Sequence, residues 1–104
     1  MTHPQAAALQ TLLERVEAGD ATAPQMWDTL GRNALHAMSA FNGSLNAAKA
    51  LHDAVLPAYR FRIEDFRAEI WWGPAGPFIG ASETPARAWL IAILRALIAD
   101  TEGR

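Results

Sequence analysis

The side chains of this chain that could do chemistry are few, and their spacing favours no familiar reaction. Histidine occurs only as His3, His36 and His52. No two of them stand three or four residues apart, so no helix would present a pair of imidazoles to a metal. His52 falls on the apolar stripe of a helical segment, where a hydrogen-bonded core residue is expected. Glu64 and Asp65 are adjacent carboxylates. Such pairs can divide acid and base roles when their surroundings drive their pKa values apart. Their place at a hairpin tip predicts solvation instead. Ser39, Ser44 and Ser82 lack a Gly-x-Ser-x-Gly frame, and Ser44 and Ser82 read as helix caps. Gly73-Pro74-Ala75-Gly76-Pro77 has the glycines of a phosphate loop. Its prolines offer no N–H, however, and no Gly-Lys-Ser/Thr follows. The chain has no cysteine, which removes disulfides, thiolate nucleophiles and most zinc sites. A small enzyme using a carboxylate or histidine site finds little support. The expectation is a non-catalytic protein with no metal and no cofactor.

Binding chemistry is more visible. Arg60, Arg62, Arg67, Glu69 and Trp71 alternate with apolar residues and should share one side of a hairpin. Arginine and tryptophan dominate the energetic centres of protein interfaces, and the same pair can stack on bases and grip phosphates. Two alternatives compete: the N-terminal helices cover this side, with the arginines reaching out at the edges, or it is an ordinary solvated sheet face.

The elements that must position this face follow from periodicity. Residues 85–99 form a helix that is apolar on nearly every side, so it should be buried on more than one face. Ser82 or Thr84 can cap it, and Pro85 suits its first turn. Residues 4–18 form a first helix on Leu9, Leu12, Leu13 and Val16, stopped by Gly19. A second starts near Pro24, capped by Thr22 or Ala23, and is weakened at Gly31-Arg32-Asn33. Ser44 caps a third, which ends before Pro57.

The period then changes to two. Tyr59, Phe61 and Ile63 alternate with Arg60, Arg62 and Glu64. Phe66, Ala68, Ile70 and Trp72 alternate with Arg67, Glu69 and Trp71. This predicts two half-buried strands. A turn at Glu64-Asp65 pairs Ile63 with Phe66, Phe61 with Ala68 and Arg60 with Glu69, which keeps the apolar residues on one side. Residues 73–77 read as a rigid connector, and 78–81 as a short third edge strand. The final helix should lie across Tyr59, Phe61, Ile63, Ala68, Ile70 and Trp72.

The bulk numbers set bounds. The 104 residues suit one domain, 1–104, with a helical part at 1–43 and a helix–hairpin–helix core at 44–100. The net charge of −2 exerts no general pull toward nucleic acid or anionic lipid. The last helix is short for a bilayer and carries Arg87 and Arg95, so no membrane partner is expected. No basic, then apolar, leader is seen at the N-terminus, and a cytoplasmic setting is expected. Abundant alanine, with Lys49 the only lysine, hints at a GC-rich bacterial or phage genome.

The order of elements matters as well. A helix opens Ser44-Leu45-Asn46-Ala47-Ala48. An aromatic hairpin and a Gly/Pro loop follow. The closing helix begins Ser82-Glu83-Thr84-Pro85-Ala86-Arg87-Ala88-Trp89. With the leading Leu12-Leu13-Glu14-Arg15-Val16-Glu17-Ala18, this resembles small phage and prophage proteins of the phage ABA sandwich domain type, over roughly residues 9–18 and 44–98. The resemblance implies a mobile-element origin and a layered α/β fold. It brings no activity and no functional residues. Residues 19–43 lie outside it.

A double-stranded RNA binding domain shares the helix–strand–strand–strand–helix order, but its last helix opens with clustered lysines. Here Arg87 stands alone. The expectation is therefore an α+β fold with a small antiparallel sheet of two or three strands. The expected function is that of a phage-encoded binding protein docking on a host or phage protein in the bacterial cell, as an anti-CRISPR inhibitor of host defence would. A nucleic-acid-binding role for Arg60, Arg62, Arg67 and Trp71 is the alternative. The apolar excess of the last helix also permits a homodimer.

Overall fold

A computed structural model describes residues 4–102, and His3 lies outside the described residues. The helix α1 spans Pro4–Ala18, and Gly19 takes φ 80 just beyond it. Leu9, Leu12, Leu13 and Val16 form its buried stripe. The helix α2 spans Ala23–Leu30 and is capped by Thr22, whose hydroxyl accepts from the Gln25 N–H while the Gln25 side chain accepts from the Thr22 N–H. This reciprocal box satisfies two donors that a helix start leaves open. At Gly31, with φ 57, the chain tightens into a 3-10 turn over Gly31–Asn33 before α3 runs from Ala34–Phe41. The helix α4 covers Leu45–Val55, and the Ser44 hydroxyl caps it by accepting from the Ala47 N–H at 3.1 Å.

Three antiparallel strands follow in spatial order β1 (Arg60–Glu64), β2 (Arg67–Trp72) and β3 (Ala75–Ala81). The closing helix α5 spans Pro85–Glu102, with the Thr84 hydroxyl accepting from the Arg87 N–H at 3.1 Å. The α+β class and the antiparallel sheet thus agree with the sequence reading. The cap is Thr84, while the Ser82 N–H continues the sheet by donating to the Phe66 carbonyl.

The hairpin register differs from expectation by one residue on each strand. Glu64 pairs with Arg67, Ile63 with Ala68, Phe61 with Ile70 and Arg60 with Trp71. The turn is Asp65-Phe66, and Asp65 takes φ 52. Two-residue hairpin turns need a positive φ at their first position. Aspartate tolerates that conformation better than the bulkier residues beside it. Phe66 therefore leaves the apolar face and stands exposed at the tip.

The second turn is Gly73-Pro74 alone, with Gly73 at φ 55. The expected connector is in fact mostly strand, since β3 begins at Ala75. Opposite Trp71 the register slips, and Gly76 and the cis-linked Pro77 occupy the space of one residue.

The helix α5 lies centrally. It packs on β2 and β3 along one side and on α1, α3 and α4 elsewhere. Its residues from Trp89 to Leu94 are all buried. Contrary to expectation it does not cover the whole apolar strand face. It comes close to the sheet at Gly80, opposite Ala68, where the face has least side chain. Over β1 the cover comes from His52 of α4, whose ring meets Phe61 edge-on with centroids 5.0 Å apart, and from Trp89 of α5, whose ring centre lies 4.6 Å from that of Phe61. Trp72 and Phe61 consequently remain partly exposed.

Candidate functional site

Residues on a strand alternate between faces, so the register fixes what the uncovered side of the sheet presents. Arg60, Arg62 and Glu64 of β1 stand opposite Trp71, Glu69 and Arg67 of β2. Ile79 and Ala81 of β3 complete the third row beside Glu69 and Arg67. The helices pack against the other side. Arg60, Arg62, Glu64 and Arg67 are exposed, and Glu69 and Trp71 are half-buried. The sequence-selected residues Arg60, Arg62, Arg67, Glu69 and Trp71 are thus brought together on one open face. The covering of that face by N-terminal helices does not occur, because α1 packs on α5 instead.

The charges are arranged as a two-by-two block. Arg62 pairs with Glu64 at 3.1 Å, and Arg67 with Glu69 at 3.1 Å. Within each pair the two residues are two positions apart on the same face of one strand. Across the strands each arginine also faces the other pair's glutamate. The four side chains ring a shallow hollow of about 250 Å³. Exposed pairs of this kind contribute roughly 0–1 kcal/mol to stability. Their effect is to orient the guanidinium planes and to neutralise them. Arg60 makes no ion pair among the described residues, and its cross-strand neighbour is Trp71. Glu64 is the member that the hairpin-tip reading assigned elsewhere. Its parity with Arg60 and Arg62 is the signal that places it here.

His52 has a different fate. It is 1% exposed, and both ring nitrogens are engaged. The Trp89 indole N–H donates to Nδ1 at 3.3 Å, so Nε2 carries the proton and donates to the Tyr59 carbonyl at 2.9 Å. The tautomer follows from the network, since the indole nitrogen can only donate. The imidazole thus ties α4, the approach to β1 and α5 together, as the sequence reading expected of a core histidine. His36 is exposed on α3. Among the described residues no group of three or more His, Asp or Glu is placed to hold a metal ion.

Arg87, on α5, reads in sequence only as a lone charge at the start of the last helix. Its Nε and Nη2 donate to the Phe41 carbonyl at 3.0 and 2.9 Å, and its guanidinium lies 4.2 Å from the Phe41 ring centre. It closes the C-terminus of α3, where a cation suits the helix dipole.

Compared with known proteins, the sequence matches no family model and no curated relative, and the fold matches no solved structure.

Proposed function

We propose that this protein is a binding module that docks on another protein through the open face of its sheet. The observation that carries this reading is the charge block beside Trp71. A face built for phosphate would leave its cations free for the ligand, since each neutralised phosphate contributes affinity. Here Arg62 and Arg67 already hold Glu64 and Glu69, leaving Arg60 beside an aromatic ring. Mixed charge with one arginine–tryptophan centre fits the polar rim and anchor of a protein interface. The resemblance to small phage proteins supports a partner from the host cell, and a host defence protein is the concrete version. It is independent of the charge argument.

Affinity capture with tagged protein from bacterial lysate, with and without nuclease, tests the reading. The expected result is one stoichiometric protein that survives nuclease. Recovery that disappears with nuclease would transfer the face to nucleic acid.

A further inference from the structure

The two free edges of the sheet are not alike. β3 is interrupted at its edge by Pro77, which has no N–H, and by the register slip opposite Trp71. Proline and bulges are two of the means, beside short length and charged side chains, of preventing edge-to-edge pairing. β1 carries neither, and its sequence Arg60-Phe61-Arg62-Ile63-Glu64 is regular and exposed at all but Ile63.

Its free hydrogen-bonding groups can be identified. The Ser82 N–H bonds the Phe66 carbonyl at 3.1 Å, so Ala68 and Ile70 bond toward β3, while Arg67, Glu69 and Trp71 bond toward β1. Adjacent residues of a strand direct their backbone groups to opposite sides. Arg60, Arg62 and Glu64 therefore use theirs on β2. The N–H and C=O of Phe61 and Ile63 point to the open edge.

We infer that β1 pairs antiparallel with β1 of a second copy of this chain, about a two-fold axis at Arg62. The strand is self-complementary in that register. Phe61 of one copy meets Ile63 of the other, and the four outward backbone groups on each copy all find partners. Arg60 of one copy stands opposite Glu64 of the other, twice. Arg62 meets its own copy at the axis, where each guanidinium keeps its intrachain Glu64 at 3.1 Å. Centring the axis on Phe61 instead would oppose Arg60 to Arg62 twice, two like-charge pairs against the single Arg62 pair at this axis, and centring it on Ile63 would set Phe61 opposite Asp65, which lies beyond the strand at φ 52. The result is a continuous six-stranded sheet whose helices lie on one side. This inference does not depend on the proposed partner of the open face.

The absence of native cysteine makes a direct test clean. At the axis, Arg62 and its symmetry mate form a non-hydrogen-bonded pair, with Cα atoms about 4.5 Å apart. That lies within the span of a disulfide, roughly 4.4–6.8 Å. Arg62→Cys should oxidise to a covalent dimer at least about tenfold faster than Arg32→Cys, an exposed control on the 3-10 turn. Sedimentation of the unmodified protein should show a mass rising toward twice the 11.3 kDa chain as concentration increases. Arg60→Glu should weaken that association about tenfold, and adding Glu64→Arg should regain part of the loss, because the swap recreates both cross-copy pairs while removing the Arg62–Glu64 pair. Circular dichroism confirms that each variant is folded. A protein that remains monomeric to its solubility limit overturns the inference. So does a dimer in which Arg62→Cys reacts no faster than the control, since its contact then lies elsewhere.

Discussion

Gly80 of β3 lies so close to Ala88 of α5 that a Cβ at Gly80 would stand 2.0 Å from the Ala88 carbonyl oxygen and 2.7 Å from the Ala92 nitrogen. The obstruction is backbone and cannot rotate away. This contact sets how near the central helix comes to the sheet at Gly80, whose cross-strand neighbour Ala68 is fully buried.

Gly80→Ala should therefore destabilise the protein by about 3 kcal/mol, although alanine has the better intrinsic fit to a strand. The thermal midpoint should fall by at least about 10 °C. Thermal unfolding followed by circular dichroism checks this, and an unchanged midpoint would mean that α5 sits farther from β3.

The His52–Trp89 hydrogen bond is expected to behave as a coupled buried pair. His52→Leu removes the acceptor of the buried Trp89 indole N–H and the hydrogen bond from Nε2 to the Tyr59 carbonyl. Trp89→Phe leaves Nδ1 without a donor. Each should cost about 2 kcal/mol, and the double variant about 1 kcal/mol less than the sum. Urea titration of the four proteins gives the coupling directly. Strict additivity would show that the hydrogen bond contributes nothing.

Arg87 predicts a sharp difference between arginine and lysine. Its forked contact with the Phe41 carbonyl and its stacking on the Phe41 ring need a planar guanidinium. Arg87→Ala should cost about 2 kcal/mol, and Arg87→Lys should recover less than half of it, because an ammonium ion cannot reproduce the fork. Denaturant unfolding of both variants measures the difference.

The paired charges of the open face can be released. Glu64→Gln with Glu69→Gln frees Arg62 and Arg67 while leaving the fold intact, since Arg62, Glu64 and Arg67 are exposed and glutamine keeps the size of the half-buried Glu69. The parent protein should bind a single-stranded oligonucleotide weakly. The double variant should bind it more tightly, with a salt dependence steeper by up to about 1.4 in log–log slope, for two added phosphate contacts. Fluorescence anisotropy across salt concentrations reads both values. Tight, steeply salt-dependent binding by the parent protein would favour the nucleic-acid reading.

Much of this architecture was legible in residue types. The buried run Trp89–Leu94 marked α5 as central, and parity placed Arg60, Arg62, Arg67, Glu69 and Trp71 on one face. The register was not legible from parity. Moving the turn from Glu64-Asp65 to Asp65-Phe66 shifts each strand by one residue in opposite senses and leaves the facing pairs matched in polarity. The deciding signal was conformational, in that Asp65 is better suited to a positive φ than Glu64. The exposure of Phe61 and Trp72 was hidden for a related reason. Hydrophobicity marks a face for burial, but the smallness of Ala68 and Gly80 decides where a helix can approach. The role of Arg87 was missed because its acceptor, the Phe41 carbonyl, lies 46 residues away.

The most direct test of the binding account is capture from lysate by the parent protein beside a variant carrying Arg60→Ala and Trp71→Ala, with nuclease present throughout. Both side chains lie outside the buried core, so the variant should fold normally. Each substitution should weaken the partner's binding by more than about 1 kcal/mol, which together removes most of the captured protein. Equal recovery by parent and variant would contradict the account and place the interface away from this face.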